Sequence, residues 1–213
     1  MEPIGSFLSG QRLKLAELQD FVIDIIYDRI QPDALLYGGT SVWRCFGGTR
    51  FSEDIDIYLD SSAFEDLLSV LERYGVSLVW QDPDMPTRIR ISRSGTDILL
   101  ESKPGYAENE LHIYYRIDGS TKTISVLSPT ELMIRTIEAY QGRRFIRDIY
   151  DLYVLTNWLN RSDFIVKSRL SNFLQDLAMP VDEKVLSSLL YAGPKNLNFT
   201  TMVNFIRRWL GEI

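Results

Sequence analysis

The sequence contains a single cysteine, Cys45, and a single histidine, His112, among its 213 residues. One thiol excludes an intrachain disulfide and is typical of a cytoplasmic protein. No apolar run approaches the roughly 20 residues that span a bilayer, and the first residues lack the basic-then-apolar order of a secretory signal. We therefore expect a cytoplasmic protein that does not interact with membranes.

Basic residues are fewer than acidic ones: the chain has 23 Lys and Arg and 29 Asp and Glu, which gives a net charge of −6. This balance argues against a protein that coats nucleic acid nonspecifically, because such binding depends on neutralising phosphates. With 45% hydrophobic residues, the chain can bury a core as one large or two small domains. Arginines that could still contact phosphate cluster at Arg88, Arg90 and Arg93 and at Arg143, Arg144 and Arg147.

Two aspartates open a predicted strand. From Asp54 to Leu59 polar and apolar residues alternate with period two, so Asp54 and Asp56 share one face. Two carboxylates held side by side repel each other unless a cation or a proton lies between them, and hard oxygen ligands favour Mg²⁺ or Mn²⁺. The pair therefore predicts a magnesium or manganese site.

A glycine pair stands upstream of the aspartates. Residues 34–37 predict a buried strand, Gly38-Gly39 predicts a turn where the backbone closely approaches another group, and residues 40–46 predict a short helix capped by Thr40 or Ser41. Exposed amides at a helix N-terminus bind phosphate. The segment is neither a Walker loop nor a dinucleotide fingerprint, because it lacks the spacing of both. It predicts a triphosphate site beside the metal.

Two separated motifs resemble those of a known family. They comprise Gly38-Gly39-Thr40-Ser41 with Arg50-Phe51-Ser52-Glu53-Asp54-Ile55-Asp56, and then Pro129-Thr130-Glu131-Leu132, Arg135, Arg143-Arg144 and Arg147-Asp148-Ile149-Tyr150-Asp151-Leu152. In this order they resemble the AbiEii/AbiGii toxin nucleotidyltransferases of abortive-infection and type IV toxin-antitoxin systems, within the Pol β-like nucleotidyltransferase superfamily. The resemblance covers roughly residues 34–156.

The resemblance implies an enzyme that moves an NMP from an NTP to an acceptor hydroxyl and releases pyrophosphate. The implied acceptor is RNA, with the 3′ end of tRNA favoured, and the implied partner is a cognate antitoxin that relieves growth arrest. Asp54 and Asp56 would be catalytic and bind the metal, and Asp148 or a metal-bound carboxylate would take the hydroxyl proton. The nucleotide-binding residues implied are Gly38, Gly39, Thr40, Ser41, Arg135, Arg144, Arg147 and Asp151.

A third metal-binding carboxylate, which the superfamily's catalytic cores provide, has two candidates. Asp97 and Glu101 fall on one face of their predicted strand, so the period alone does not choose between them. We favour Glu101, because its apolar neighbours predict an interior position, whereas Asp97 adjoins a predicted hairpin turn at Ser94-Gly95.

Arg135 departs from the family pattern, in which lysine is usual and is thought to contact the nucleotide phosphates. An arginine keeps a phosphate contact, but its planar fork and permanent charge prevent any role in proton transfer. Arg143 and Arg144 are alternative carriers of this contact. Within the second motif, Arg147, Asp148 and Asp151 lie on one side of a predicted helix, where an Arg147–Asp151 ion pair is the structural alternative to a functional role.

The pattern of elements predicts an α+β fold in which a mixed-sheet nucleotidyltransferase-like domain, residues 1–127 with an N-terminal helix, precedes a helical domain, residues 128–213. Ser128, Pro129 and Glu131 mark the start of that second domain, as N-cap, first helical residue and capping-box partner. The predicted strands are residues 34–37, 54–59, 76–80, 88–92, 96–101, 111–117 and 124–127; the predicted helices are residues 13–30, 40–46, 61–75, 129–141, 145–159, 163–178, 182–191 and 200–211.

Two other functions fit the same core. The chain could transfer a nucleotide to a protein or a small molecule, or it could bind nucleotide without turnover. The intact pair of Asp54 and Asp56 argues against the second of these. His112 lies in a predicted strand and is assigned no role.

Overall fold

A computed structural model describes residues 2–105, 107–194 and 196–212. The described chain divides into two compact units. The first comprises the residues up to Cys45 together with Ser52–Leu127, and the second comprises Phe46–Phe51 together with the chain from Ser128 onward. The division after Leu127 coincides with the expected start of the helical domain, whereas the grouping of Phe46–Phe51 with the second unit was not predicted.

The first unit is built around a mixed sheet. Its elements are α1 (Gly10–Ile25), β1 (Leu35–Tyr37), α2 (Gly38–Cys45), β2 (Ile55–Tyr58), α3 (Ser61–Arg73), β3 (Ser77–Gln81), β4 (Arg88–Arg93), β5 (Thr96–Lys103), β6 (Asn109–Tyr115) and β7 (Thr121–Leu127). In the sheet the strands lie in the order β3-β4-β5-β2-β1-β7-β6. The pairs β2–β5 and β1–β7 are parallel and the other pairs are antiparallel.

Strand β2 lies near the middle of this sheet and has two different faces. Ile55 and Ile57 point to one face and are fully buried, as the alternation predicted. Their neighbours in the ladder, Leu36 of β1 and Leu100 of β5, are also fully buried. This apolar row fixes the register of β2, since a slip of one residue would bury its carboxylates.

Most of the predicted elements of this unit are present, with shifts of a few residues at their ends. The Ser94-Gly95 hairpin turn is confirmed, because both residues have positive φ, 51° and 76°, as a type I′ turn requires. β6 starts two residues earlier than predicted, and β7 starts three residues earlier. Helix α1 passes into a π-helical turn, Ile26–Ile30, that ends just before Pro32.

The second unit is helical. It contains α4 (Pro129–Arg143), α5 (Ile146–Leu155), α6 (Phe164–Gln175), α7 (Leu186–Leu189) and α8 (Phe199–Leu210). Ser128 caps α4 as predicted, since its hydroxyl accepts from the amide of Glu131 at 3.3 Å. The helix predicted over residues 182–191 is a 3₁₀ turn followed by the short α7. The α+β class is therefore confirmed. None of the helices in the described residues combines the length and the apolar character that a bilayer crossing requires.

A buried ion pair joins α1 to α2 within the first unit. The guanidinium of Arg44, with no exposed surface, lies 3.0 Å from Asp20. Arg44 also donates to the carbonyls of Tyr115 and Ala16, and Asp20 accepts from the hydroxyl of Tyr114. Burial raises the pKa of Asp20, and the positive charge of Arg44 opposes this shift. Arg44 thus fixes the short helix α2, which begins with the glycine pair.

Replacement of Arg44 by methionine is expected to lower the free energy of unfolding by about 3–5 kcal/mol, because Asp20 would remain buried without its counter-ion. Urea unfolding followed by circular dichroism measures this loss. Arg29→Met is the control, since Arg29 is exposed and such substitutions usually change stability by about 0.5 kcal/mol or less. Equal, small losses in both variants would contradict the structural role of Arg44.

Candidate active site

Helix α2 begins at Gly38, directly after β1 and two residues earlier than predicted. The predicted capping by Thr40 or Ser41 is wrong, because both hydroxyls donate to carbonyl groups rather than accepting from helix amides. The Thr40 hydroxyl bonds the carbonyl of Asp54, and the Ser41 hydroxyl bonds the carbonyl of Gly38 at 2.8 Å. Thr40 therefore ties the start of the helix to the residue that precedes β2.

The backbone of Gly38 lies against the carboxylate of Asp56. A Cβ atom on Gly38 would be only 2.1 Å from Oδ2 of Asp56, and Gly38 has φ +70°, in the left-handed region that favours glycine. The close approach expected at the glycine pair is thus found at its first residue. Since helix N-termini carry a partial positive charge, the carboxylate of Asp56 lies at the positive end of α2.

The strand register places Glu101 beside Asp56. Asp56 of β2 is the ladder partner of Tyr37 on β1 and of Glu101 on β5, so these three side chains point to the same face of the sheet. Asp97, the other candidate, pairs with Ser92 of β4 near the hairpin turn. The register therefore favours Glu101 over Asp97, a choice that the period alone left open.

The expected three-carboxylate metal cage is not assembled. Within residues 2–105, 107–194 and 196–212, no three His, Cys, Asp or Glu side chains form a group able to hold a metal ion. Glu101 instead forms ion pairs with Lys103 at 3.2 Å and with Arg88 at 3.8 Å. These two cations account for its position, and Arg88 is thereby an ion-pair partner of Glu101.

In the second unit, the segment Phe46–Phe51 is held by α5 and by the residues after α7. The amide of Thr49 donates to the hydroxyl of Tyr150 at 2.7 Å, and the indole nitrogen of Trp158 donates to the carbonyl of Phe46 at 2.9 Å. Backbone hydrogen bonds join residues 49 and 51 to residues 191 and 189. The segment is therefore part of the folded second unit.

Arg50 of this segment forms an ion pair with Asp151 of α5. Nε and Nη2 of Arg50 bond the two carboxylate oxygens of Asp151 at 2.9 and 2.7 Å, and both side chains are more than nine-tenths buried. Burial raises the pKa of Asp151, and the charge of Arg50 works against this shift. The alternative of an Arg147–Asp151 ion pair is not what forms, because both oxygens of Asp151 bond a residue about a hundred positions away in sequence.

The carboxylate of Asp148 also accepts hydrogen bonds from an arginine at both of its oxygens. Arg143 bonds its two oxygens at 2.6 and 2.9 Å, and the Asp148 side chain is 3% exposed. Both oxygens of Asp148 are therefore engaged by Arg143, and a role of Asp148 in taking the hydroxyl proton stays a prediction.

Arg50, Arg143 and Arg147 form an arginine cluster, and Arg147 is its third member. It lies against the ring of Phe145 and forms no ion pair with any described residue. Burial, followed by repulsion from Arg143 and Arg50, lowers the pKa of Arg147. Its Nε atom is buried, and no partner for it exists in the part of the chain that the structure describes. Such a site favours an incoming anion.

The remaining arginines named by the sequence have different settings. Arg135 is half-buried on α4, whereas Arg144 is exposed at the end of that helix in the left-handed conformation, with φ 53°. The amide of Arg144 bonds the carbonyl of Tyr140 at 2.7 Å and its carbonyl accepts from Val181 at 2.9 Å. The backbone at Arg144 is thus held firmly while its side chain faces solvent.

Comparison with known proteins identifies the family. A family model described as the nucleotidyl transferase AbiEii toxin of type IV toxin-antitoxin systems matches residues 25–178. The chain belongs to the AbiEii toxin family. The sequence-based assignment is thereby confirmed. The chain is a nucleotidyltransferase of a toxin-antitoxin system, and its substrate is an NTP. Membership of this family implies a cognate antitoxin. A comparison with curated proteins found no match.

Solved structures with the same fold include other nucleotidyltransferases. The MenT4 nucleotidyltransferase toxin of Mycobacterium tuberculosis H37Rv is 14% identical, with a TM-score of 0.64 over 95% of this chain and 83% of that one. JHP933 of Helicobacter pylori is 19% identical, with a TM-score of 0.64 over 96% and 92%. ANT(2'')-Ia, solved with adenylyl-2''-tobramycin, is 14% identical, with a TM-score of 0.52 over 78% and 99%. These likenesses confirm the nucleotidyltransferase fold of this AbiEii chain.

Three charged residues of this AbiEii protein have carboxylate partners that the sequence does not predict. Arg50 and Arg143 belong to the sequence motifs, and Lys103 lies outside them. The only available signal was positional, since Arg50 stands shortly before the acidic strand and Lys103 stands two residues after Glu101 on the same face.

Replacing Gly38 by alanine is expected to reduce nucleotidyl transfer at least 100-fold, because the added methyl group collides with the carboxylate of Asp56. Gly47→Ala is the matched control, since Gly47 also has a positive φ, +77°, but has no atom within 4 Å of its Cβ position. Both variants carry a backbone strain of about 1–2 kcal/mol. Incorporation of labelled NTP and thermal unfolding separate the two effects, and full activity in Gly38→Ala would contradict the contact.

Proposed function

We propose that this AbiEii toxin is a metal-dependent nucleotidyltransferase that attaches an NMP to a hydroxyl group of RNA, with the 3′ end of tRNA as the favoured acceptor. The observation that supports it most is the contact of Asp56 with Gly38. It places a carboxylate suited to a divalent cation at the start of a helix suited to phosphate. The consequence would be growth arrest that the antitoxin relieves.

The residues present fit Mg²⁺ or Mn²⁺. Asp54, at the entrance to β2, and Asp56 supply hard oxygen ligands, and Glu101 is the neighbour of Asp56 in the ladder. Mg²⁺ is commonly bound by one or two protein carboxylates with substrate phosphates and water, and Asp54 and Asp56 match that preference. When bound, the cation would neutralise phosphate charge and polarise the α-phosphate.

The phosphates of the NTP are assigned to the start of α2. The first amides of α2, from Gly39 to Ser41, point along the axis of a helix whose positive end is at Gly38. In the second unit considered by itself, Arg147 lies beside two arginine–aspartate pairs and has a buried Nε without a partner among the described residues, so it is a candidate ligand for an anion. The family resemblance implies phosphate contacts for Arg135 and Arg144 as well. Asp151 orients Arg50 rather than contacting nucleotide directly.

The transfer joins the acceptor oxygen to the α-phosphorus and breaks the bond from that phosphorus to the bridging oxygen, so pyrophosphate leaves. We assign the proton of the acceptor hydroxyl to a carboxylate on the sheet. Asp148 is the less suitable acceptor for this proton, because both of its oxygens bond Arg143. In this scheme Asp148 positions Arg143 within the arginine cluster.

Asp56→Asn is expected to lower transfer of label from NTP at least 1,000-fold, because it removes a negative charge at the metal site while keeping the shape of the side chain. The assay incubates the purified protein with Mg²⁺, each labelled NTP and total RNA, and compares products with and without EDTA. Asp60→Asn serves as the control, since Asp60 is exposed just after β2.

The location of the label decides the acceptor. Label in tRNA supports the proposed acceptor, label in a protein or a small molecule would replace it, and nucleotide binding without pyrophosphate release would indicate a module without turnover. Activity that survives both Asp56→Asn and EDTA would overturn the metal-dependent mechanism.

Arg147→Ala is expected to raise the KM for NTP about tenfold or more, since a charge-assisted hydrogen bond to phosphate contributes about 1.5–3 kcal/mol. The control is Arg169→Ala, an exposed arginine of α6. Steady-state kinetics and equilibrium NTP binding both report the effect. An unchanged KM in a folded Arg147→Ala variant would remove Arg147 from the phosphate ligands.

A further inference from the structure

Lys103 lies on the acidic face of the sheet. It is the last residue of β5 and the ladder partner of Tyr58 on β2, two ladder positions beyond the pair of Asp56 and Glu101. Residues two apart on a strand share a face, so Lys103 projects on the same side as Glu101. The same face therefore carries carboxylates and one lysine.

The ammonium group of Lys103 reaches back over β2. Its Nζ is 3.2 Å from Oε1 of Glu101 and 5.6 Å from the centre of the Tyr37 ring. Glu101 is on β5 and Tyr37 is on β1, and β2 lies between these two strands. Asp56 is the ladder partner of both residues. The charge of Lys103 thus lies on the face of the sheet to which Asp56 points, between Glu101 and the ring of Tyr37.

Glu101 is held from both sides. On the β4 side, the guanidinium of Arg88 is 3.8 Å from its other oxygen, and Arg88 also lies 3.7 Å from Asp82. On the β2 side, Lys103 has Glu101 as its ion-pair partner among the described residues, and the contact is shorter. Lys103 is therefore the stronger determinant of where the Glu101 carboxylate points.

We propose that Lys103 is a positioning residue of the metal site, whose ammonium group pairs with Glu101 and competes with the divalent cation for that carboxylate. This inference rests on the metal-dependent function proposed above. While the pair is intact, the cation has fewer protein ligands, so it binds firmly only when the phosphates of the NTP provide others. Lys103 in this way makes metal binding depend on the nucleotide.

The test is Mn²⁺ binding to the full-length protein without NTP, measured by electron paramagnetic resonance titration. Lys103→Met is expected to bind Mn²⁺ roughly three- to tenfold more tightly than the wild type, because a competing positive charge is removed. Lys103→Arg keeps the charge and is expected to stay within about twofold of the wild type. Thermal unfolding establishes that each variant is folded.

A double-mutant cycle separates a positioning role from a general effect of charge. Because Lys103 acts through Glu101, Lys103→Met is expected to change Mn²⁺ affinity less than about twofold when Glu101→Gln is also present. Lys122→Met is the matched control, since Lys122 is an ion-paired lysine of the same unit with Asp24 and Asp28 as partners. That control is expected to leave Mn²⁺ affinity unchanged.

Two results would overturn the inference: an Mn²⁺ affinity of Lys103→Met within twofold of the wild type, or a tightening that persists in full with Glu101→Gln. Failure of the proposed function gives a different signature. In that case Asp56→Asn would bind Mn²⁺ as well as the wild type does, whatever the residue at position 103.

Discussion

Strand β2 lies between β1 and β5, and its alternation is the constraint on which the first unit depends. Ile55 and Ile57 are fully buried, so they hold the strand in one register with Leu36 and Leu100. That register leaves Asp56 on the opposite face, against the backbone of Gly38. The apolar core therefore sets the position of the carboxylate, because a slipped strand would bury a charge.

Local rules predicted most of the strands and helices, because alternation, turn residues and the cap at Ser128 act over a few positions. They did not predict that α2 starts at Gly38, since that glycine packs against Asp56 of another strand, a contact outside the reach of local rules. They also could not choose between Asp97 and Glu101, because both share a face, whereas the register across β2 and β5 distinguishes them. Ladder register is a property of two strands and is absent from either strand alone.

Spacing along a helix suggested a pair between Arg147 and Asp151, but the fold brings Arg50 to that aspartate from far away in sequence. A buried carboxylate is best satisfied by a group that bonds both of its oxygens, and a guanidinium in bidentate geometry does this whatever its position in the chain. The consequence is that Arg147, with no carboxylate bound to it among the described residues, stays available to an anion. The positive charge that can meet a ligand therefore lies on Arg147, because Arg50 and Arg143 are paired with Asp151 and Asp148.

The segment Phe46–Phe51 makes the chain cross from the first unit to the second and back before it crosses again after Leu127. Cutting the gene at residue 127 would therefore not yield two independent proteins. The C-terminal fragment would bury Asp151 without Arg50, and the N-terminal fragment would carry that arginine with its partner missing. Each unit has its own core, but the second unit is built from two separate stretches of the chain. Recombination between relatives would therefore preserve folding only if it exchanged Phe46–Phe51 together with the chain from Ser128 onward.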